Sequence, residues 1–369
     1  MTVNGATNGV TTNGVHHERS LKPGVFAPIP TFFQPETEDL DLDAFKAHVV
    51  RVASAGVGPL LAGSMGEAHH ISHDERVILI KAARAALDEA GLTDVPLIAG
   101  TGAGSTRETV FLCKQAAEAG ADAAIVIASG YYAGVLANSR SALKAFWTEV
   151  AEKSPLPVII YNYPGASGGI DLDSDLIIDL AESCPNLCGV KLTCGNVGKL
   201  TRICTSVSTP DFTTKFPRKD ARFPFLVLGG FIDFLTPSAF AGGHGAITGL
   251  ANVAPAAISR LFDLTRQAVP STTTFASSSP SPEFTAANVE ALAAAQQLQG
   301  TIARADFTIA KAGIAGTKYL LQKLYGYGGA PRRPLPPTNP EDGERLWEHP
   351  DTVALVAVER EATGKAKSL

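Results

Sequence analysis

Short apolar runs alternate with amphipathic segments from Gly24 to Ala268, and this alternation limits what the chain can fold into. The runs cover 25–31, 58–62, 95–100, 123–128, 157–161, 187–192, 225–228 and 245–248. Runs of this length between turn residues read as strands buried on both faces, as in a parallel sheet. Helical patterns occupy 41–55, 72–90, 105–119, 139–153, 173–183, 197–206 and 253–268. Ser72 stands three residues before Glu75, and Ser105 three before Glu108, the spacing of a capping box. Eight apolar runs, seven of them followed by a helical pattern, in a span close to the roughly 250 residues typical of the fold predict an α/β chain, a (β/α)8 TIM barrel with a C-terminal helical extension. A doubly wound open sheet is the alternative. It fits less well, because no Gly-x-Gly-x-x-Gly follows the first strand.

The barrel is expected over residues 24–270. Before it, residues 1–23 are rich in Asn, Thr and Gly and read as a disordered arm. After it come a low-complexity flexible loop at 271–282 and C-terminal helices over 283–330, divided as 286–300 and 303–325. A tail at 331–369 has room for one short helix.

The net charge is −5 with no basic stripe, so nucleic acid is not an expected partner. No apolar run reaches the length of a membrane span, and the first twenty residues lack the apolar stretch of a signal peptide, which predicts a cytoplasmic protein. The five cysteines show no zinc-finger spacing and read as reduced, buried thiols.

Every unusual polar or glycine-rich segment follows a strand: 63–67, 129–132, 161–165, 191–196 and 229–230. A (β/α)8 barrel keeps its chemistry on these loops. Lys191 ends the sixth apolar run. Burying an ammonium forfeits its hydration, and an amine so placed is carried more cheaply uncharged, as a nucleophile that forms Schiff bases with carbonyls. Tyr161, ending the run before, is placed to move protons. Gly63 and Gly66 let backbone N–H groups approach a carboxylate closely. Plainer readings stand beside these. The stem of Lys191 packs while its head snorkels to solvent, Tyr161 is a core tyrosine bonded to backbone, and Ser64 is a turn residue. Glu67 reads as a structural carboxylate and Tyr131 as an interface residue. His69 and His73, four apart, would share a helix face and bind a metal, but no third ligand is suitably spaced, so no metal is expected.

Five motifs in order resemble the dihydrodipicolinate synthase / N-acetylneuraminate lyase family of class I pyruvate aldolases over residues 24–330. They are Gly63-Ser64-Met65-Gly66-Glu67, Tyr131-Tyr132, Tyr161-Asn162-Tyr163-Pro164, Gly189-Val190-Lys191 and Gly242-Gly243-His244-Gly245-Ala246-Ile247. Lys191-Leu192-Thr193-Cys194-Gly195-Asn196 and Tyr325-Gly326-Tyr327-Gly328-Gly329 resemble the fungal branch of 2-keto-3-deoxy-L-galactonate (L-threo-3-deoxy-hexulosonate) and 4-hydroxy-2-oxoglutarate aldolases. The resemblance implies a cofactor-free lyase that splits a small 4-hydroxy-2-oxo acid, with Lys191 as Schiff-base lysine, Tyr161 as proton carrier and Ser64 as relay. It implies that Tyr132 enters a neighbouring subunit's site in a homo-oligomer, a dimer or tetramer. It also implies substrate contacts at Gly63, Met65, Gly66, Thr193 and Ile247. A synthase or dehydratase using the same imine, or a non-catalytic keto-acid binder, is the alternative. Two positions depart from the family. Ala166 stands where dihydrodipicolinate synthases hold a second carboxylate with arginine, and Met65 replaces the usual Thr or Asn with a thioether that cannot donate a hydrogen bond.

Overall fold

The computed structural model describes residues 19–269 and 284–364. Positions 1–18 of the expected arm, and the loop expected at 271–282, lie outside the described residues. The elements run β1 (Gly24–Pro28), α1 (Leu42–Ser54), β2 (Gly58–Leu61), α2 (His73–Glu89), β3 (Ile98–Gly100), α3 (Thr106–Ala119), β4 (Ala123–Ile127), α4 (Ala133–Leu136), α5 (Arg140–Lys153) and β5 (Val158–Asn162). They continue with α6 (Ser174–Ser183), β6 (Leu187–Leu192), α7 (Val197–Val207), α8 (Pro210–Lys215), β7 (Leu226–Gly229), α9 (Leu235–Phe240), β8 (Gly245–Ile247) and α10 (Pro255–Ala268). Beyond the barrel lie α11 (Ala286–Tyr325), α12 (Pro340–Trp347) and α13 (Pro350–Ala362).

All eight strands pair in parallel and in sequence order. β1 meets β8 through Gly24↔Gly245, Val25↔Ala246 and Phe26↔Ile247, which closes the (β/α)8 barrel and leaves no open sheet edge. Side chains alternate along a strand, so each strand feeds two cores. Phe26, Leu60, Ile98, Ile125, Ile159, Leu228 and Ile247 pack together inside the barrel. Their neighbours Ala27, Leu61, Ala99, Val126, Ile160 and Val227 join the larger core beneath the helices. Ser72 and Glu75 form the expected capping box. The second box is half made: Ser105 accepts the Glu108 N–H, but the Glu108 carboxylate lies 2.7 Å from His73 Nε2 instead. All five cysteines are free, and four are buried. No described helix is long and apolar enough to cross a membrane.

The C-terminal region departs from expectation. Helix α11 runs unbroken through 300–303 and breaks instead at Gly313, with φ +61° and ψ −150°. A glycine inside a helix weakens it without ending it, as at Gly300, whereas a left-handed backbone is open to glycine at low cost, as at Gly313. Where one short tail helix was expected there are two. Asn339 and His349 cap them, and Pro340 and Pro350 occupy their first turns, where the missing N–H is no loss. Three short helices, α4, α8 and α9, occupy stretches that had no predicted helix.

Helix α11 is fastened to the barrel by a buried ion pair. Lys318 Nζ lies 2.6 Å from Glu67 Oε1, and both side chains are fully buried. Lys318 also donates to the Ala330 carbonyl at 3.1 Å. Glu67 Oε2 accepts the Arg332 N–H at 2.8 Å and lies 3.0 Å from His70 Nδ1. The Arg332 guanidinium binds Glu75 through two contacts, 2.6 and 3.0 Å, and covers the Phe33 ring. Glu67 is thus a structural carboxylate that ties the C-terminal region, through Lys318 and Arg332, to its own loop, through His70. A second anchor is Tyr327, whose hydroxyl meets Arg51 Nε at 2.9 Å and His48 Nδ1 at 3.1 Å. Burial pushes His48 down to about 3.

Removing one partner from a buried pair strands the other charge without water. Lys318→Met should therefore destabilise the fold by about 3–5 kcal/mol. Thermal denaturation checks this, and an unchanged melting temperature would contradict it.

Candidate active site

The C-terminal ends of the strands surround a cavity of about 230 Å³. Gly63, Ser64 and Met65 line it from the loop after β2, Tyr161 from β5, Lys191 from β6 and Thr193 from just beyond. Helix α11 lies across the opening and contributes Asp306, Ile309, Gly313, Ile314 and Thr317.

Lys191 faces the cavity because β6 carries one extra residue. The pairing with β5 shifts register between Val158↔Leu187 and Ile159↔Gly189, leaving Cys188 unmatched. Cys188 packs inside the barrel, whereas Val190 and Leu192 pack outside it. Strict alternation from an inward Cys188 would turn Lys191 outward, and the bulge reverses that phase. Gly189 permits the bulge: a Cβ there would sit 2.5 Å from the Leu226 carbonyl oxygen. The restored register pairs Lys191 with Tyr161 on the next strand.

Lys191 is 5% exposed, and its Nζ lies 4.2 Å from the centroid of the Tyr161 ring. Among the described residues nothing accepts a hydrogen bond from this nitrogen. Tyr163 stacks on Tyr161 with centroids 5.7 Å apart and also lines the cavity. Between these tyrosines Asn162 points the other way, donating to Asp171 at 2.7 Å and accepting the Leu172 N–H at 2.9 Å, so it shapes the loop. Thr193 Oγ1 is buried without a partner. In the β2 loop the Glu67 N–H bonds the Ser64 carbonyl, and that of Ala68 bonds Gly63. The N–H groups of Ser64, Met65 and Gly66 have no backbone acceptor among the described residues. Successive free N–H groups form a concavity suited to an anion.

The structure therefore gathers Lys191, Tyr161, Ser64, Gly63, Met65 and Thr193 around one space. Three expected residues stand apart from it. Gly66 is buried, its carbonyl accepting from Thr31 Oγ1 at 2.7 Å. Ile247 is buried inside the barrel. Tyr132 is 64% exposed, edge-on to Tyr131 at 5.0 Å, and does not line the cavity in the single chain. The histidine pair does not share a helix face, since His69 precedes the Ser72 cap of α2. No group of three or more His, Cys, Asp or Glu side chains among the described residues is placed to hold a metal.

Sequence reading missed Tyr163 and Asp306. Asp306 is 5% exposed, and its Oδ2 accepts the Ile232 N–H at 3.0 Å. Burial, reinforced by the neighbouring Asp233, pushes its carboxyl from 3.8 up to about 7, against the pull of backbone N–H groups. A signal was present: Asp306 sits between Ile302 and Ile309 at helical spacing, on the buried stripe of α11.

Residues 23–273 match the model of the family described as "Dihydrodipicolinate synthetase family". The chain is 41% identical to the L-threo-3-deoxy-hexylosonate aldolase of Aspergillus niger, covering 89% of this chain and 94% of that one. It is also 41% identical, with the same coverage, to a protein of Emericella nidulans named "Probable 4-hydroxy-2-oxoglutarate aldolase, mitochondrial". Among solved structures it is similar to YagE of Escherichia coli K12, a member of the dihydrodipicolinic acid synthase family solved in complex with pyruvate. That match has a TM-score of 0.73 and 25% identity, and covers 92% of this chain and 99% of YagE.

Two outcomes follow from this geometry. Gly189→Ala places a methyl against the Leu226 carbonyl and should cost about 1–3 kcal/mol, read as a lowered melting temperature; an unaltered one would remove the packing role given to Gly189. Asp306 holds its proton more tightly folded than unfolded, so it lowers stability progressively as pH rises from about 4 through about 7. The melting temperature of Asp306→Asn, relative to the parent, should therefore rise across that range, and a constant difference would contradict the shift.

Proposed function

The chain belongs to the dihydrodipicolinate synthetase family, and from that premise we propose that it is a class I, Schiff-base-forming aldolase that splits a 4-hydroxy-2-oxo acid into pyruvate and an aldehyde. The observation that carries this reading is the position of Lys191: buried, in a cavity, beside Tyr161, with no acidic partner bonded to its nitrogen among the described residues.

The Lys191 amine attacks the C2 carbonyl of the substrate, and loss of water leaves a protonated imine. The imine is the electron sink, so this reading calls for no cofactor. Tyr161 takes the proton of the C4 hydroxyl as the C3–C4 bond breaks. The bond's electrons pass into the imine to give an enamine, and the aldehyde departs. A proton delivered through Tyr161 to C3 restores the imine of pyruvate, and water releases the acid from Lys191. Ser64 stands beside the path of that proton. The substrate's carboxylate takes the free N–H groups of the β2 loop. Thr193 supplies a hydroxyl without a protein partner.

Tyr131 and Tyr132, 88% and 64% exposed at the head of α4, support assembly with a second copy. Exposed paired aromatics suit an interface. In that assembly Tyr132 reaches the neighbouring site.

Borohydride with pyruvate should trap a reduced three-carbon adduct on Lys191, located by peptide mass mapping and indifferent to chelator. Tyr161→Phe should lower kcat by about 10²–10⁴-fold on a cleavable substrate. Absence of any adduct would overturn the Schiff-base reading.

A further inference from the structure

The fungal relatives carry names for two different substrates. One is a six-carbon deoxy sugar acid whose far end is an uncharged, hydroxylated chain. The other, 4-hydroxy-2-oxoglutarate, ends in a second carboxylate. Equal identity to both leaves the choice open, and the charges around the cavity bear on it.

Among the described residues the only lysine or arginine lining the cavity is Lys191, and the only carboxyl is that of Asp306. Once Lys191 has become the imine, that nitrogen serves C2 and the first carboxylate beside it. Among the described residues no arginine or second lysine lines the cavity to receive another. The adjoining space beyond Ser64 and Tyr161 offers none either: it is lined by Glu67, His69, His70 and Ala166. Glu67 is held by Lys318 and Arg332, and His70 by Glu67. Arg332 itself is committed to Glu75. A second carboxylate in the cavity itself would therefore lie without a lysine or arginine to pair with and would share the space with a protein carboxyl, an arrangement that disfavours binding. A hydroxyl is suited to the same place, because it donates to a carboxyl oxygen and accepts from Thr193 Oγ1. The Ile232 N–H fixes Asp306 in position by holding Oδ2.

We propose that Asp306 selects the aldehyde half of the substrate, binding a hydroxyl of an uncharged polyhydroxylated tail and disfavouring a tail that ends in a carboxylate. This rests on the aldolase reading and narrows it to 2-oxo-3-deoxy sugar acids.

The test compares kcat/KM for a six-carbon 2-oxo-3-deoxy sugar acid and for 4-hydroxy-2-oxoglutarate, using the full chain and its Asp306→Asn variant, after pyruvate trapping on the unaltered enzyme. The sugar acid should be preferred by about 100-fold or more. Asp306→Asn should narrow that preference by about tenfold, raising KM for the sugar acid and lowering it for the dicarboxylate. A merely structural role would move both substrates together and leave the ratio unchanged, which would overturn the assignment. Equal or better use of the dicarboxylate by the unaltered enzyme, with the Lys191 adduct present, would overturn it without touching the aldolase reading. A missing adduct would remove both.

Discussion

A parallel eight-stranded barrel has a full interior. Phe26, Leu60, Ile98, Ile159 and Leu228 occupy the axis, and little polar surface is carried at that depth. Function is pushed to the ends of the strands, where side chains still point inward but no longer meet a packed layer. That constraint explains why one extra residue in β6 matters. The inward positions of β6 are decided by phase alone, and without the bulge at Cys188–Gly189 the amine of Lys191 would lie among the helices. The site thus depends on a backbone irregularity three residues upstream of Lys191.

The second dependence runs through α11. The break at Gly313 lies between Asp306, which roofs the cavity, and Lys318, which is buried against Glu67. Glu67 has φ +56° and directly follows the loop that presents Ser64 and the free N–H groups. Taking both charges out of water is expensive, and the pair is supported because the other Glu67 oxygen meets the Arg332 N–H and His70 Nδ1 while the Lys318 nitrogen also reaches the Ala330 carbonyl. Its clearest consequence is registration: the β2 loop, the roof and the C-terminal segment are set by one contact.

Much of this was legible in the sequence, for identifiable reasons. The strands were readable because buried parallel strands must be apolar throughout, and Lys191 stood out because it violates that rule. Capping residues located α2 and α3. The bulge was not readable, since Gly189 acquires its meaning only against Leu226 of the next strand. The break in α11 was expected near Gly300, because composition does not distinguish a glycine that stays helical from one that turns left-handed. The tail was given room for one short helix, whereas Pro340 and Pro350 each open one, since proline suits a first helical turn. Asp306 was passed over because a charged residue on a helix usually marks the solvent side, and nothing local announced that this helix lies over the barrel mouth.

Met65 remains the position where residue type and proposed chemistry are hardest to reconcile. It lines the cavity, packed near Gly249, and a thioether gives a carboxylate no donor. The loop answers this with its backbone. Its turn bonds use the carbonyls of Gly63 and Ser64 and leave the N–H groups of residues 64–66 without backbone acceptors. Donors fixed by the main chain survive any change of side chain, so position 65 is released from anion binding so long as the turn holds its shape. The turn's shape in turn rests on Glu67, and through Glu67 on Lys318. A methionine is compatible with the proposed carboxylate site because the donors there belong to the backbone and the backbone is held from the far end of the chain.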